Sequence, residues 1–140
     1  MERTERVILT NLCMIQDGTK VLVEDDPAGG HVEEHEPVVD SVIREMKEET
    51  GLTIENPKLC GIKEWINEDG SRYLVFLFKT DRFSGELVSS DEGKVFWMEK
   101  DEVLKSHWIW EMDKLMRIMA DGDYTELFFD PADDWKPVLK

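Results

Sequence analysis

From Arg6 to Ile15 the chain reads RVILTNLCMI, an apolar and β-branched run. QDGTK follows with an Asp-Gly turn, and then VLVE at Val21–Glu24, so the pattern predicts a β-hairpin. DDPAGG interrupts the chain with Pro27, Gly29 and Gly30. From Pro37 to Thr50 the apolar period lengthens. Val38, Val39, Val42, Ile43 and Met46 recur at helical spacing, Pro37 suits a first turn, and Gly51 suits the stop. LTIENPKLCGIKEWI then reads as strand, broken at Asn56-Pro57, with NEDGS as a turn and RYLVFLFKT as a buried strand. KVFWMEK is a further short strand after the turn-like SSDEG. Asp101–Lys105 and Trp108–Met119 read as helical, the second with Ile109, Met112, Leu115, Met116 and Met119 as its apolar stripe. YTELFFD and WKPVLK read as a terminal hairpin or as loosely packed strands.

Strands outnumber helices, with one helix in mid-chain and another late. That order predicts an α/β protein whose mixed sheet packs between helices. With 140 residues, no repeat and no linker, the expectation is one domain over residues 1–140.

Composition narrows the function classes. Hydrophobic residues make up 41% and charged residues 35%, a globular mixture. The balance of 32 acids against 17 bases, a formal charge of −15, argues against a broad nucleic-acid-binding surface. A small anionic substrate remains open if divalent cations stand between the two sets of negative charge. Cys13 and Cys60 lie in apolar runs without metal-ligand spacing and read as reduced, buried thiols. MERTERVILT lacks the apolar segment of a secretory signal, and YLVFLF is too short to span a bilayer. The expectation is a cytoplasmic protein with no membrane partner.

The helix carries the candidate chemistry. At about 100° per residue, Glu45, Glu48 and Glu49 share an arc beside that of Val39, Ile43 and Met46. Like charges at the edge of a core raise one another's pKa unless a cation joins them. Mg²⁺ or Mn²⁺ takes oxygen ligands of this kind and keeps waters for substrate phosphates. Taken alone, the helix also reads as an ordinary Glu-rich surface with an Arg44–Glu48 pair.

The surroundings decide between the two readings. Gly30, five residues, Glu36, seven residues and then REMKEETGL from Arg44 to Leu52 resemble the Nudix box. Gly30, Glu36, Arg44, Glu45, Glu48, Glu49 and Gly51 fit its fixed positions, and Met46 stands where an aliphatic residue is usual. The element order resembles the family's α/β/α sandwich, with the box as a loop-helix-loop. The resemblance implies hydrolysis of a nucleoside diphosphate linked to another group, with Mg²⁺ (or Mn²⁺) as cofactor. By position it implies Glu45, Glu48 and Glu49 as metal ligands, with the Gly30 carbonyl beside them. Arg44 would hold a helix carboxylate in place, Glu36 would brace the helix start, and Glu92 (or its neighbour Asp91) would add a carboxylate from a late loop. Glu48, Glu49 or Glu92 would take the proton of the attacking water.

Within the family, LTNLCMI, DEGKVFWMEKDEVL and YTELFFD look most like the MutT-like 8-oxo-dGTP diphosphatases. That likeness implies an oxidised purine nucleotide as substrate and a base slot with a few polar groups. Trp108 and Trp110, with Glu111 or Asp113, and Asn11 on the first strand are the candidate base readers. Broader activity on dNTPs, nucleotide sugars or dinucleoside polyphosphates is an alternative reading, as is a non-catalytic nucleotide- or protein-binding module. Homodimers are common among proteins of this kind. The chain departs from the pattern in two further places. VEDDPAGG is short before the box, with Ala28 between the proline and the glycines, and His35 stands where glycine is common.

Overall fold

Alternation in the first strand sends successive side chains to opposite faces of a sheet, and this splits the core in two. In the computed structural model, which describes residues 3–24, 30–88, 94–106 and 111–140, β1 runs Val7–Asp17. Met14 packs into one apolar cluster and its neighbour Ile15 into the other. β2 (Lys20–Glu24) returns from the Asp-Gly turn, where Gly18 takes φ 60°. The short β3 (Gly30–His31) pairs with the first half of β1, setting Asn11 against Gly30 and Thr10 against His31.

Helix α1 (Val38–Thr50) follows Pro37 and stops at Gly51, whose φ of 80° suits glycine. β4 (Thr53–Glu55), β5 (Lys58–Ile66), β6 (Arg72–Thr80) and β7 (Arg82–Ser84) come next. After them lie β8 (Val95–Glu99), α2 (Lys100–Lys105), α3 (Met112–Met119), β9 (Glu126–Asp130) and β10 (Lys136–Leu139). The main sheet runs β10-β9-β5-β6-β1-β2-β8, with β3 also on β1, while β4 and β7 form a separate ribbon. β1–β6 and β5–β9 are parallel and the other pairs antiparallel, so the sheet is mixed.

Val42 and Met46 of α1 pack with Ile15, Leu52, Ile54 and Phe78 on one face of the sheet. Val103 of α2 and Leu115, Met116, Ile118 and Met119 of α3 pack with Met14, Val75 and Leu77 on the other. The architecture is the expected α/β/α sandwich. The terminal strands form a hairpin, with Lys136 opposite Asp130. No helix among the described residues is long and apolar enough to cross a membrane.

Two details differ from the sequence reading. Val39, in the first turn of α1, is 45% exposed although it shares the helix face of the buried Met46 and Thr50. The late helix starts at Met112, since Glu111 takes the left-handed φ of 54°, which an α-helix does not continue. Both cysteines are free, and burial pushes the Cys13 thiol up to about 12.

Away from α1, the β5–β9 pairing brings two carboxyls together. Glu64 is buried on β5 and ion-paired to Arg72, which also holds Glu5 at 3.0 Å. Glu126 hydrogen-bonds Glu64, and that bond, burial and the Glu64 charge push it up to about 7 from an ordinary 4.5. The folded state therefore binds this proton more tightly than the unfolded chain. The stabilisation is present at low pH and is lost as pH rises from 4.5 through about 7. Glu126→Gln is expected to flatten this part of the stability–pH curve, as measured by urea midpoints across that range.

Candidate active site

The turn from β3 into α1 is fastened by one guanidinium. Arg44 Nε donates to Glu36 Oε2 at 2.9 Å, and its NH2 nitrogen donates to Glu36 Oε1 at 2.9 Å, a two-pronged pair. NH2 also donates to the His31 carbonyl at 3.1 Å. NH1 donates to Glu45 Oε1 at 2.8 Å and reaches Glu48 at 3.3 Å. One arginine thus joins the end of β3, the loop and two carboxylates of the helix. Glu36 Oε1 also accepts the Glu33 N–H at 3.1 Å. These two donors, Arg44 first, hold the Glu36 carboxyl down at about 2, and Glu36 in turn raises the Arg44 pKa.

The three helix acids lie at three depths. Glu49 is 5% exposed, the Glu45 side chain 14% and the Glu48 side chain 59%. Glu45 lies directly on Gly30: a Cβ added there would come within 2.1 Å of Glu45 Cγ and 2.6 Å of Oε2. Glycine is therefore required for the helix carboxylate to meet the β3 backbone. The donor set is all oxygen, the kind a hard divalent cation takes. Among the described residues, however, no three acid, histidine or cysteine side chains already converge on one point. Arg44 instead draws Glu45 and Glu48 toward itself. Glu92, Asp91, Trp108 and Trp110 lie outside the described residues.

Asn11 is fully buried beside this turn. Its Nδ2 donates to Ser41 Oγ at 2.8 Å, and Ser41 Oγ donates to the Val38 carbonyl at 2.7 Å. Oδ1 is buried without a hydrogen bond among the described residues. Asn11 therefore ties β1 to the start of α1.

Glu111 belongs to a second feature, which the sequence reading did not assemble. On the α3 face, Trp65 stacks on Tyr73 with ring centroids 4.3 Å apart, and Phe129 meets Trp65 edge-on at 6.0 Å. Trp65, Phe129, Trp135, Pro137 and Glu111 line a cavity of about 290 Å³. Glu111 Oε2 is buried, lies 3.2 Å from Lys114 Nζ and accepts no hydrogen bond among the described residues. Lys63 Nζ sits 5.6 Å from the Trp65 ring centre and 5.7 Å from that of Phe129. Burial pulls this lysine down to about 8 against the opposing pull of Glu111. A signal for the stack was present. Asn67–Ser71 closes the β5–β6 hairpin, and counting back from that turn sets Trp65 opposite Tyr73.

The family profile described as NUDIX domain matches residues 4–118. The uncharacterized Nudix hydrolase YvcI of Bacillus subtilis (strain 168) is 40% identical over 103 residues, 65% of this chain and 65% of that protein. Phosphatase NudJ of Shigella boydii serotype 4 (strain Sb227) is 28% identical over 111 residues, 70% of this chain and 72% of its own. An oxidized purine nucleoside triphosphate hydrolase of Danio rerio is 35% identical over 77 residues, 54% of this chain and 49% of that one. The chain thus spans just under two thirds of YvcI and about half of the Danio rerio protein. The crystal structure of a MutT protein from Bacillus halodurans superposes with a TM-score of 0.73 at 28% identity, covering 94% of each chain.

Gly30→Ala is expected to lower stability by about 1–3 kcal/mol, because the new methyl group must displace Glu45. A urea midpoint equal to that of the wild type would show that Glu45 yields freely and that the contact constrains nothing.

Proposed function

Because the chain belongs to the Nudix family, we propose that it is a divalent-metal-dependent nucleoside triphosphate pyrophosphohydrolase of a single domain. The preferred substrate in this reading is an oxidised purine nucleotide, 8-oxo-dGTP, released as 8-oxo-dGMP and pyrophosphate. The observation that carries the reading is Glu45 seated on Gly30 while Arg44 fastens the loop to the helix.

Gly30, Glu45, Glu48, Glu49 and Glu92 are the residues that would hold Mg²⁺ or Mn²⁺. Bound there, the cation supplies charge neutralisation for the polyphosphate and a more acidic water. Arg44 keeps Glu45 at the β3 backbone and so acts as a positioning residue. Glu48, Glu49 or Glu92 accepts the proton of the water as it attacks phosphorus in line with the leaving oxygen.

The aromatic cavity supports a purine substrate. Trp65 and Phe129 offer rings for stacking, and the buried Glu111 oxygen offers an acceptor for a base N–H. The register runs from Gly30 through Asn11 and Phe76 to Ile62, and Trp65 lies three residues further along β5, so the cavity is about 14 Å across the sheet and about 10 Å along it from Gly30. That is the scale of a nucleoside triphosphate. The name of the Danio rerio relative agrees with this substrate class, while the NudJ likeness keeps broader phosphate substrates in the test.

The test is pyrophosphate release with Mg²⁺ from 8-oxo-dGTP beside dGTP, a nucleotide sugar and a dinucleoside polyphosphate. The highest kcat/KM is expected for 8-oxo-dGTP, and turnover of none of them would leave only a binding role. Glu49→Gln is expected to cut kcat by about a hundredfold or more, above the usual loss for a residue that only orients a metal ligand. The melting temperature without metal should not fall in parallel. Near-full activity in this variant would remove Glu49 from the site.

A further inference from the structure

At the far end of the sheet from Trp65, three cations converge in a chain whose net charge is −15. Lys58, Lys79 and Arg82, with Gln16, Asn56, Thr80 and Asp81, line a cavity of about 300 Å³. The β5–β6 register sets Lys58 directly opposite Lys79. Like charges in that position destabilise an antiparallel pair unless a counter-charge lies between them. Among the described residues, the Lys58, Lys79 and Arg82 side chains make no ion pair or hydrogen bond with an acid. Asp81 lines the same cavity, and Glu55 stands opposite Arg82 in the β4–β7 ribbon, yet neither closes on these cations. Two of the other polar groups at the cavity are already engaged. Gln16 Nε2 donates to the Gly18 carbonyl, and Thr80 Oγ1 donates to the Glu55 carbonyl while accepting from Arg82 N–H. Two ammonium groups and a guanidinium, the donors that phosphate oxygens take, therefore face a ligand against the single Asp81 carboxylate.

We propose that this cavity binds a small polyvalent phosphate anion, of the size and charge of pyrophosphate, at a site separate from the acidic helix. Gln16 lies five residues along β1 from Asn11, the partner of Gly30, a separation of about 17 Å. The cavity exceeds the needs of a single phosphate, and three cations match an anion of more than one charge. The same cations would accept the diphosphate either free or carried on a small organic group. The site does not depend on the catalytic reading.

The full chain is titrated calorimetrically with pyrophosphate in excess EDTA, which keeps divalent cations off the acidic helix. Saturable binding is expected, and Lys58→Gln/Lys79→Gln should weaken it by about tenfold or more per removed charge. That double variant relieves the opposed charges, so its melting temperature should equal or exceed that of the wild type, which separates lost binding from lost folding. Glu49→Gln should bind as the wild type does. A nucleoside diphosphate arm distinguishes the two sources, since binding with the same lysine dependence means that the cavity also accepts carried diphosphate. The proposal is overturned by no saturable binding to the wild type, by unchanged affinity in the lysine variant, or by loss of binding in Glu49→Gln alone.

Discussion

One guanidinium governs the geometry of the acidic helix. Arg44 is bonded to Glu36 by two nitrogens, to the His31 carbonyl, to Glu45 and to Glu48. A lysine could reach one or two of these partners, but it lacks the planar fork that meets both Glu36 oxygens at once. Because the pair is charge-assisted and two-pronged, it sets the angle at which the chain enters α1. That angle decides whether Glu45 arrives over Gly30, where any side chain on the strand would exclude it.

The sheet supplies the other half of the constraint. β1 is shared along one edge by β3 near its start and β2 near its end, and it lies parallel to β6 on the other. Its alternation sends Met14 toward α3 and Ile15 toward α1, so one strand anchors both layers. Asn11 interrupts the apolar series on the α1 side and binds Ser41, which fixes the first turn of the helix against the strand. The helix is held at its start by Asn11 and at its loop by Arg44, and Val42 and Met46 bury its middle. Side chains on such an element are oriented before any ligand arrives.

Much of this was legible in the chain. The Pro37 and Gly51 boundaries, the β1–β2 turn and the spacing from Gly30 to Leu52 are local signals, and local signals survive without tertiary context. What was not legible depends on contacts between distant segments. Nothing near Val7 indicates that β1 will lie parallel to β6, and nothing near Thr53 announces the β4–β7 ribbon. Periodicity places Val39 on the apolar face with Met46 and Thr50, yet in the first turn that face is left 45% exposed, which the helical period alone does not show. Trp108 and Trp110, the candidate base readers, stand close together in HWIWEMD and lie outside the described residues. The ring stack that the structure shows joins Trp65 to Tyr73 across a hairpin, a relation fixed by register rather than by density.

Charge and burial set Glu45 and Glu49 apart from an ordinary solvated face. Arg44 lies within ion-pair distance of Glu33, Glu36, Glu45 and Glu48, four carboxylates to one guanidinium. The nearby Lys47 does not redress the balance, since its Nζ turns to the Gly51 carbonyl at the helix end. A solvated surface would let such acids spread into water, yet Glu45 and Glu49 are drawn inward, the first onto a glycine that leaves it room. Keeping carboxylates together at the edge of a core is unfavourable unless further positive charge joins them. Arg44 answers part of that need, and in the proposed reading a divalent cation would answer the rest.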